Sequence, residues 1–223
     1  MTNQEIINSY KPMARFIANT FGPNCEVVIH DLSNLEASVV FIENGAMTNR
    51  IIGDTITDFG LEIVHNMDKY HDLDYVSAYT ARGGTSGKTF KSSTFFIRST
   101  QGKIIGLLCI NVDVSDYYVL NTLADRLFSA NIPKDDSKVE ETGIAPNSES
   151  FVINTQELIA SISSTVLSRF SAPPERLTLE EKREVIRQLE GRGVFLLKGS
   201  VNEIARLLDV SEQTIYRYLK GID

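Results

Sequence analysis

SVNEIARLLDVSEQTIYRYLK, residues Ser200–Lys220, reads as two short helices joined by a tight turn. Ser200 is a candidate cap for the first helix and Ser211 for the second, since a serine hydroxyl can accept from the free amides of a first turn. Asp209-Val210 makes the turn between them. Two helices crossing steeply need a small residue where they touch, and Ala205 stands there. Ile204, Leu208, Val210, Ile215 and Tyr218 supply the interlocking apolar positions of a helix-turn-helix. Asp209 occupies a place where this motif usually carries Gly, and Asp tolerates the left-handed backbone better than most side chains. Burying those positions leaves Ser211, Glu212, Gln213, Thr214, Tyr216, Arg217 and Lys220 as candidate DNA-contacting residues. Gln213 suits adenine, Arg217 suits guanine or a phosphate, and the hydroxyls of Ser211, Thr214 and Tyr216 suit the backbone. Glu212 would accept from cytosine and repel phosphate, so its role stays open.

Working outward, a helix opens at Thr178-Leu179-Glu180-Glu181 as a capping box, buries Val185, Ile186 and Leu189, and ends at Gly191 and Gly193. Before it, Leu158, Ile159, Ile162, Val166, Leu167 and Phe170 form an apolar stripe, halted by Ala172-Pro173-Pro174, that a second subunit is one way of covering. Pro173–Asp223 holds nine Lys/Arg and nine Asp/Glu, so the whole net charge of −7 comes from upstream. That neutrality favours a plain helical hairpin or a protein-contact module over a DNA reader, unless the cations cluster on one face; Arg192, Lys198, Arg217 and Lys220 are the expected cluster.

Residues 130–150, rich in Pro, Ser, Asp and Glu, lose all apolar periodicity and read as a linker between a first module, 1–129, and a helical one, 151–223. In the first module, strands are expected at Glu26–Leu32, Ser38–Gly45, Tyr75–Gly83, Lys88–Ser99 and Lys103–Val114, with helices at Asn3–Thr20, Ile56–His65 and Ser115–Ser129. The class is therefore α+β, with the last two strands antiparallel across Thr100-Gln101-Gly102. The final strand is apolar on both alternating faces: Ile104, Leu108, Ile110 and Val112 on one, Ile105, Leu107 and Cys109 on the other. Such a strand must be covered on both sides.

Four blocks resemble the YheO-like regulators, a bacterial family that includes the DauR type: FGPNCEVVIHDL (Phe21–Leu32), SGKTFKSSTFFIR (Ser86–Arg98), GLLCINVD (Gly106–Asp113) and Ser200–Lys220. The resemblance implies a PAS-like N-terminal domain, with a five-stranded antiparallel sheet and flanking helices, that senses a small molecule. It further implies a C-terminal helix-turn-helix that binds an operator as a homodimer in the cytoplasm. Polar residues on strands are the candidates for ligand contact, because an interior position is apolar unless something pairs with it. His30, Tyr79, Ser93, Asn111 and Asp113 are the candidate set, with Asp31 beside them. A small polar metabolite is the expected effector. The competing account has Asp113 capping the helix that begins near Ser115 while His30 and Asn111 satisfy loop backbone.

Other chemistry finds no support. Gly83–Thr89 mimics a phosphate-binding loop, but Gly83 and Gly87 enclose three residues rather than four and a strand follows. His65, Asp68, His71, Asp72 and Asp74 crowd one stretch without metal-ligand spacing. Cys25 and His30 lack an orienting third group. No catalytic residue, cofactor or metal is expected. A small-molecule enzyme, or a signalling protein using its C-terminal helices for protein contacts, are the rival classes. No apolar run approaches the ~20 residues of a membrane-spanning helix.

Overall fold

The computed structural model describes residues 1–83, 87–128 and 149–221. Helices α1 (Asn3–Ser9) and α2 (Lys11–Phe21) precede strands β1 (Cys25–Asp31) and β2 (Val39–Glu43). Helix α3 (Asp58–His65) leads to β3 (Tyr75–Gly83), β4 (Thr89–Arg98) and β5 (Ile104–Asp113), and helix α4 (Ser115–Phe128) follows. After it come β6 (Glu149–Phe151), α5 (Thr155–Leu167), α6 (Leu179–Gly191), α7 (Ser200–Leu207) and α8 (Glu212–Leu219). The helix expected over 3–20 is two, because the break at Tyr10 lets Pro12 enter the first turn of α2, where its missing N–H costs nothing.

The sheet has six strands in the order β2-β1-β5-β4-β3-β6, so β5 is flanked by both β1 and β4. The five expected strands are present and antiparallel; the sixth, β6, adds to β3 in parallel. Its first residues, Glu149 and Ser150, lie inside the segment read as linker; the rest of that segment falls outside the described residues, as do residues 84–86 of the phosphate-loop mimic. β6 escapes a periodicity search because three residues are too few to alternate.

β5 is covered on both faces as its composition demands, with a different partition from the simple alternation. Ile105, Leu108 and Ile110 pack with Cys25, Val27 and Ile29 beneath α1 and α2, whereas Ile104, Leu107 and Cys109 pack with Val28, Phe90 and Phe96 beneath α3. The pairing skips Ile105 between Ile97↔Gly106 and Arg98↔Ile104, a bulge that exchanges the faces of Ile104 and Ile105. Gly106 is required next to it: a Cβ there would lie 2.7 Å from the His30 carbonyl oxygen.

A third core joins α5–α8 to α3 and the chain before it. Ile56 and Leu61 are buried together with Leu158, Ile162, Leu189, Ile204 and Ile215. Leu158, Ile159, Ile162 and Val166 are thus covered within the chain, and Leu167 and Phe170 of the same stripe are half-buried. Polar contacts reinforce the junction: His65 Nε2 lies 3.5 Å from Glu190, and Lys198 Nζ lies 3.6 Å from Glu36. No helix among the described residues is long and apolar enough to cross a membrane.

Leu61 is fully buried at that junction. Leu61→Ala is expected to lower unfolding free energy by about 2–5 kcal/mol, read as a fall in the denaturant midpoint with an unchanged slope.

Candidate nucleic-acid interface and interior polar site

α7 and α8 meet as their sequence predicts. Ile204, Leu208 and Ile215 are fully buried, Ala205 and Tyr218 nearly so, and Val210 is half-buried. The Val210 amide donates to the Ala205 carbonyl at 3.0 Å, and Asp209 adopts the left-handed conformation at φ 50°. One capping expectation is corrected: Gly199 is the N-cap of α7, and Ser200 is its buried first residue. Gly199 takes that place because its φ of 77° is strained for other residues.

Ser211 caps α8, its hydroxyl accepting from the Thr214 amide at 3.2 Å and bonding the Thr214 hydroxyl at 3.0 Å. Thr214 is half-buried, so both hydroxyls serve the first turn. Glu212, Gln213, Tyr216, Arg217 and Lys220 are exposed. Asn202 Nδ2 donates to Glu212 Oε1 at 2.8 Å, which holds that carboxylate against the preceding helix. The guanidinium carbon of Arg217 sits 5.5 Å from the Tyr218 ring centre and that of Arg183 5.4 Å from it.

The cationic surroundings differ from the expected set. Lys198 is engaged with Glu36, and the charge of Arg192 reaches Asp58, so both belong to the junction with the first module. The guanidinium groups beside α8 come instead from α6: Arg183 and Arg187 join Arg217 around a cleft of about 450 Å³ that Glu180 and Glu184 also line, with Arg187 paired to Glu184 at 2.7 Å. α6 showed its own buried stripe in the sequence, but only the crossing of α6 and α8 brings its outer face beside the exposed face of α8. Lys182 Nζ meanwhile donates to the Leu208 carbonyl at 2.7 Å and closes the end of α7.

On the inner face of the sheet a polar cluster replaces apolar packing. Glu26, His30, Ser92, Thr94, Asn111 and Glu149 are buried there, with Arg50 from the loop after β2. Register explains the grouping: Asn111 is the cross-strand partner of both Glu26 and Ser92, and partners share a face. Asn111 Nδ2 donates to Glu26 Oε1 at 3.0 Å and Ser92 Oγ donates to Asn111 Oδ1 at 2.8 Å. The Thr48 hydroxyl donates to Glu26 Oε2 at 2.6 Å, and His30 Nδ1 meets Ser38 Oγ at 2.8 Å. Tyr79 OH bonds Thr94 Oγ1 at 2.8 Å.

Of the ligand candidates, His30, Tyr79 and Asn111 fall in this cluster. Ser93 does not, because its neighbours Ser92 and Thr94 take the inner face; its hydroxyl accepts from the Ala78 amide at the bulge of β3, where Ala78 has φ 60°. Asp113 ends β5 as a cap, accepting from the Ser115 amide at 3.0 Å, with Lys88 Nζ 3.0 Å from its other oxygen. Asp31 is half-buried at the end of β1 and accepts from the Ser33 amide at 2.9 Å, a loop role. Glu26 was legible by parity with His30, two strand periods away; Arg50 and Glu149 lie outside any periodic segment and gave no signal.

Burial governs the titrations. It holds His30 well below its ordinary value, aided by the Arg50 charge, so the ring is neutral. Burial raises Glu26 and pushes Glu149 up to about 7, the latter aided by nearby Asp58, itself raised to about 6 by burial. Asp58 Oδ1 accepts from the Phe59 amide at 2.8 Å and the Ser150 amide at 3.0 Å, tying α3 to β6. The thiol of Cys109 is pushed up to about 12 by burial, and Cys25 lies on the opposite face of the sheet, also raised by burial.

Residues 1–129 match the model of the YheO-like PAS domain and residues 158–220 match a helix-turn-helix domain model. YheO of Escherichia coli (strain K12) is 29% identical over 98% of this chain and 85% of its own. An uncharacterized protein of Haemophilus influenzae is 31% identical over 99% of this chain and 92% of its own. Transcriptional regulator DauR of Pseudomonas aeruginosa is 26% identical over 97% of this chain and 94% of its own. A solved VqmA–ligand–DNA complex overlaps at a TM-score of 0.30 with 11% identity, too distant to bear on this chain.

Glu149 has an ordinary value of 4.5 and a folded value of about 7, so folding takes up a proton between those limits. Stability on its account is present below pH 4.5, falls as pH rises toward 7 and levels off above it. Glu149→Gln is expected to stabilise the protein at pH 8 by about 1–3 kcal/mol and to flatten the decline between pH 5 and 7, followed by urea unfolding.

Proposed function

Since this chain belongs to the YheO-like PAS-domain family and its residues 158–220 match a helix-turn-helix domain, we propose that it is a DNA-binding transcriptional regulator responsive to a small molecule. The observation that carries the DNA-binding part is α8, which clamps Ile215 and Tyr218 inward and turns Gln213, Tyr216, Arg217 and Lys220 to solvent. Gln213 lies in the first turn, where a recognition helix meets base edges, and is the adenine reader. Arg217, one turn on, with Arg183 behind it, serves guanine or the phosphate backbone. Ser211 and Thr214, already bonded to each other, act by fixing the helix start. Glu212, held by Asn202, is turned from the phosphates toward a cytosine amine or serves only to set the angle of the two helices. The name of DauR supports regulation as the role.

The responsive part is supported by the interior cluster, where polar side chains occupy positions that packing alone would give to apolar ones. Glu149 belongs to the cluster and to β6, five residues before the N-cap of α5, so occupancy of the interior acts at the entrance to the DNA-binding half. A ligand that favours one arrangement of this junction shifts its population. No step of this mechanism is catalytic.

The active form in this reading is a homodimer, so that two copies of α8 meet two half-sites. α4 supplies the contact: Tyr117, Tyr118, Val119, Leu120 and Leu123 are 46–65% exposed, and a helix this apolar is not stable in water uncovered. Leu120 and Leu123 lie three residues apart on one face of α4, a seam whose natural complement is its own copy. Covering those side chains in two copies removes roughly 1,000 Å² from water, the size at which a specific interface begins. Leu120→Asp with Leu123→Asp is expected to halve the mass seen by light scattering and to weaken operator binding more than tenfold; an unchanged mass rejects α4 as the contact.

Gln213→Ala is expected to cost about 1–3 kcal/mol at one base pair and relax specificity there. Arg217→Ala either does the same at a guanine or lowers the log–log salt slope by about 1. Fluorescence anisotropy with DNA from upstream of the protein's own gene, at several salt concentrations, reads both; sequence preference unaltered in both variants overturns α8 as the reader.

A further inference from the structure

The polar cluster on the inner face of the sheet contains one charge that its neighbours leave unmatched. Arg50 is 2% exposed. Its Nη2 donates to the Thr55 carbonyl at 2.6 Å, while its Nε is buried without an acceptor. Its charge is felt by Glu26 and His30 on β1, by Cys109 on β5 and by Glu149 on β6, so the guanidinium lies within electrostatic reach of this polar face. Yet it forms no ion pair among the described residues. Glu26 takes its hydrogen bonds from Thr48 and Asn111, and Glu149 takes its own from Thr57 and Tyr79. Neutral donors thus occupy the carboxylates that would ordinarily collapse onto a buried arginine.

A guanidinium stays ionised in proteins, and taking it out of water costs several kcal/mol unless an anion meets it. Folding this chain has buried the cation beside a polar face whose carboxylates are committed to other partners. We infer that Arg50 anchors the effector, and that the effector is a small organic acid whose carboxylate accepts from the Nε edge of Arg50 while its remaining polar groups meet Ser92, Asn111 and Tyr79. A planar carboxylate matches the guanidinium fork with two parallel hydrogen bonds, which a neutral carbonyl cannot do. Burial keeps a proton on Glu149 up to about pH 7, so that side chain can face an acid as a donor rather than as a second negative charge. The inference rests on the small-molecule reading of this domain and names the ligand chemistry that reading leaves open.

Thermal unfolding of the full chain at pH 6.5 tests it, with acetate, propionate and butyrate as probes. The comparisons are the matching amides, the matching alkylamines and chloride at equal ionic strength. At a hundredfold excess over Kd the preferred acid is expected to raise Tm by about 5–10 °C, with the amide and chloride inert. Arg50→Met is expected to abolish the shift and Arg50→Lys, which keeps the charge without the fork, to weaken the acid at least tenfold. Should Arg50→Met fail to fold, the acid-against-amide comparison in the unaltered chain and the Arg50→Lys titration decide. A shift shared by acid and amide, or one that persists in Arg50→Met, overturns Arg50 as the anchor. A shift from the amines or amides with none from the acids also overturns the anchor while leaving small-molecule sensing intact; no shift from any of the three classes overturns both.

Discussion

β5 is the constraint from which the first module follows. It pairs with β1 on one edge and β4 on the other, and it is apolar on both faces, so both must be roofed. α1 and α2 cover one side and α3 the other. Its single bulge at Ile105 decides which side chains go where, and the absence of a Cβ at Gly106 allows β1 to come close beside it. A polar residue on such a strand is tolerable only if its cross-strand partners satisfy it. Asn111 meets that condition through Glu26 and Ser92, and because those two are themselves buried, one polar side chain draws in a whole network.

That network reaches the second module through a short piece of chain. Glu149 belongs to the inner cluster by its side chain and to β6 by its backbone, while the Asp58 carboxylate at the start of α3 holds the next amide. α3 in turn contributes Leu61 to the core that contains Ile204 and Ile215 of the helix pair. The inner face of the sheet, the edge strand and the helix-turn-helix are therefore mechanically continuous. Buried carboxylates at such a joint make it sensitive to what neutralises them, since each prefers its proton in the folded state.

In the second module, neutrality overall coexists with cations beside α8 because several of the acids are engaged elsewhere. Glu184 is held by Arg187 and Gln188 and Glu181 by the capping box. Glu203 is paired with Arg206, and Glu212 is held by Asn202. Arg217 and Arg183 remain beside Tyr218 on the face that α8 presents. A count of charges along the segment cannot separate engaged acids from exposed cations, which is why the cluster anticipated from sequence included Lys198 and Arg192 and omitted Arg183.

The sequence by itself determined the class of both modules, the five long strands, the turn at Asp209 and the inward and outward faces of α8, because each depends on periodicity and on caps within a few residues. It placed His30, Tyr79 and Asn111 among the buried polar groups by the same local logic. Only the tertiary structure decided that Ser92 rather than Ser93 faces inward, since adjacent strand residues look alike until a partner strand fixes the register. It alone brought Arg50 and Glu149 to the inner face, because a loop and a three-residue edge strand carry no period and acquire their place from what they pack against.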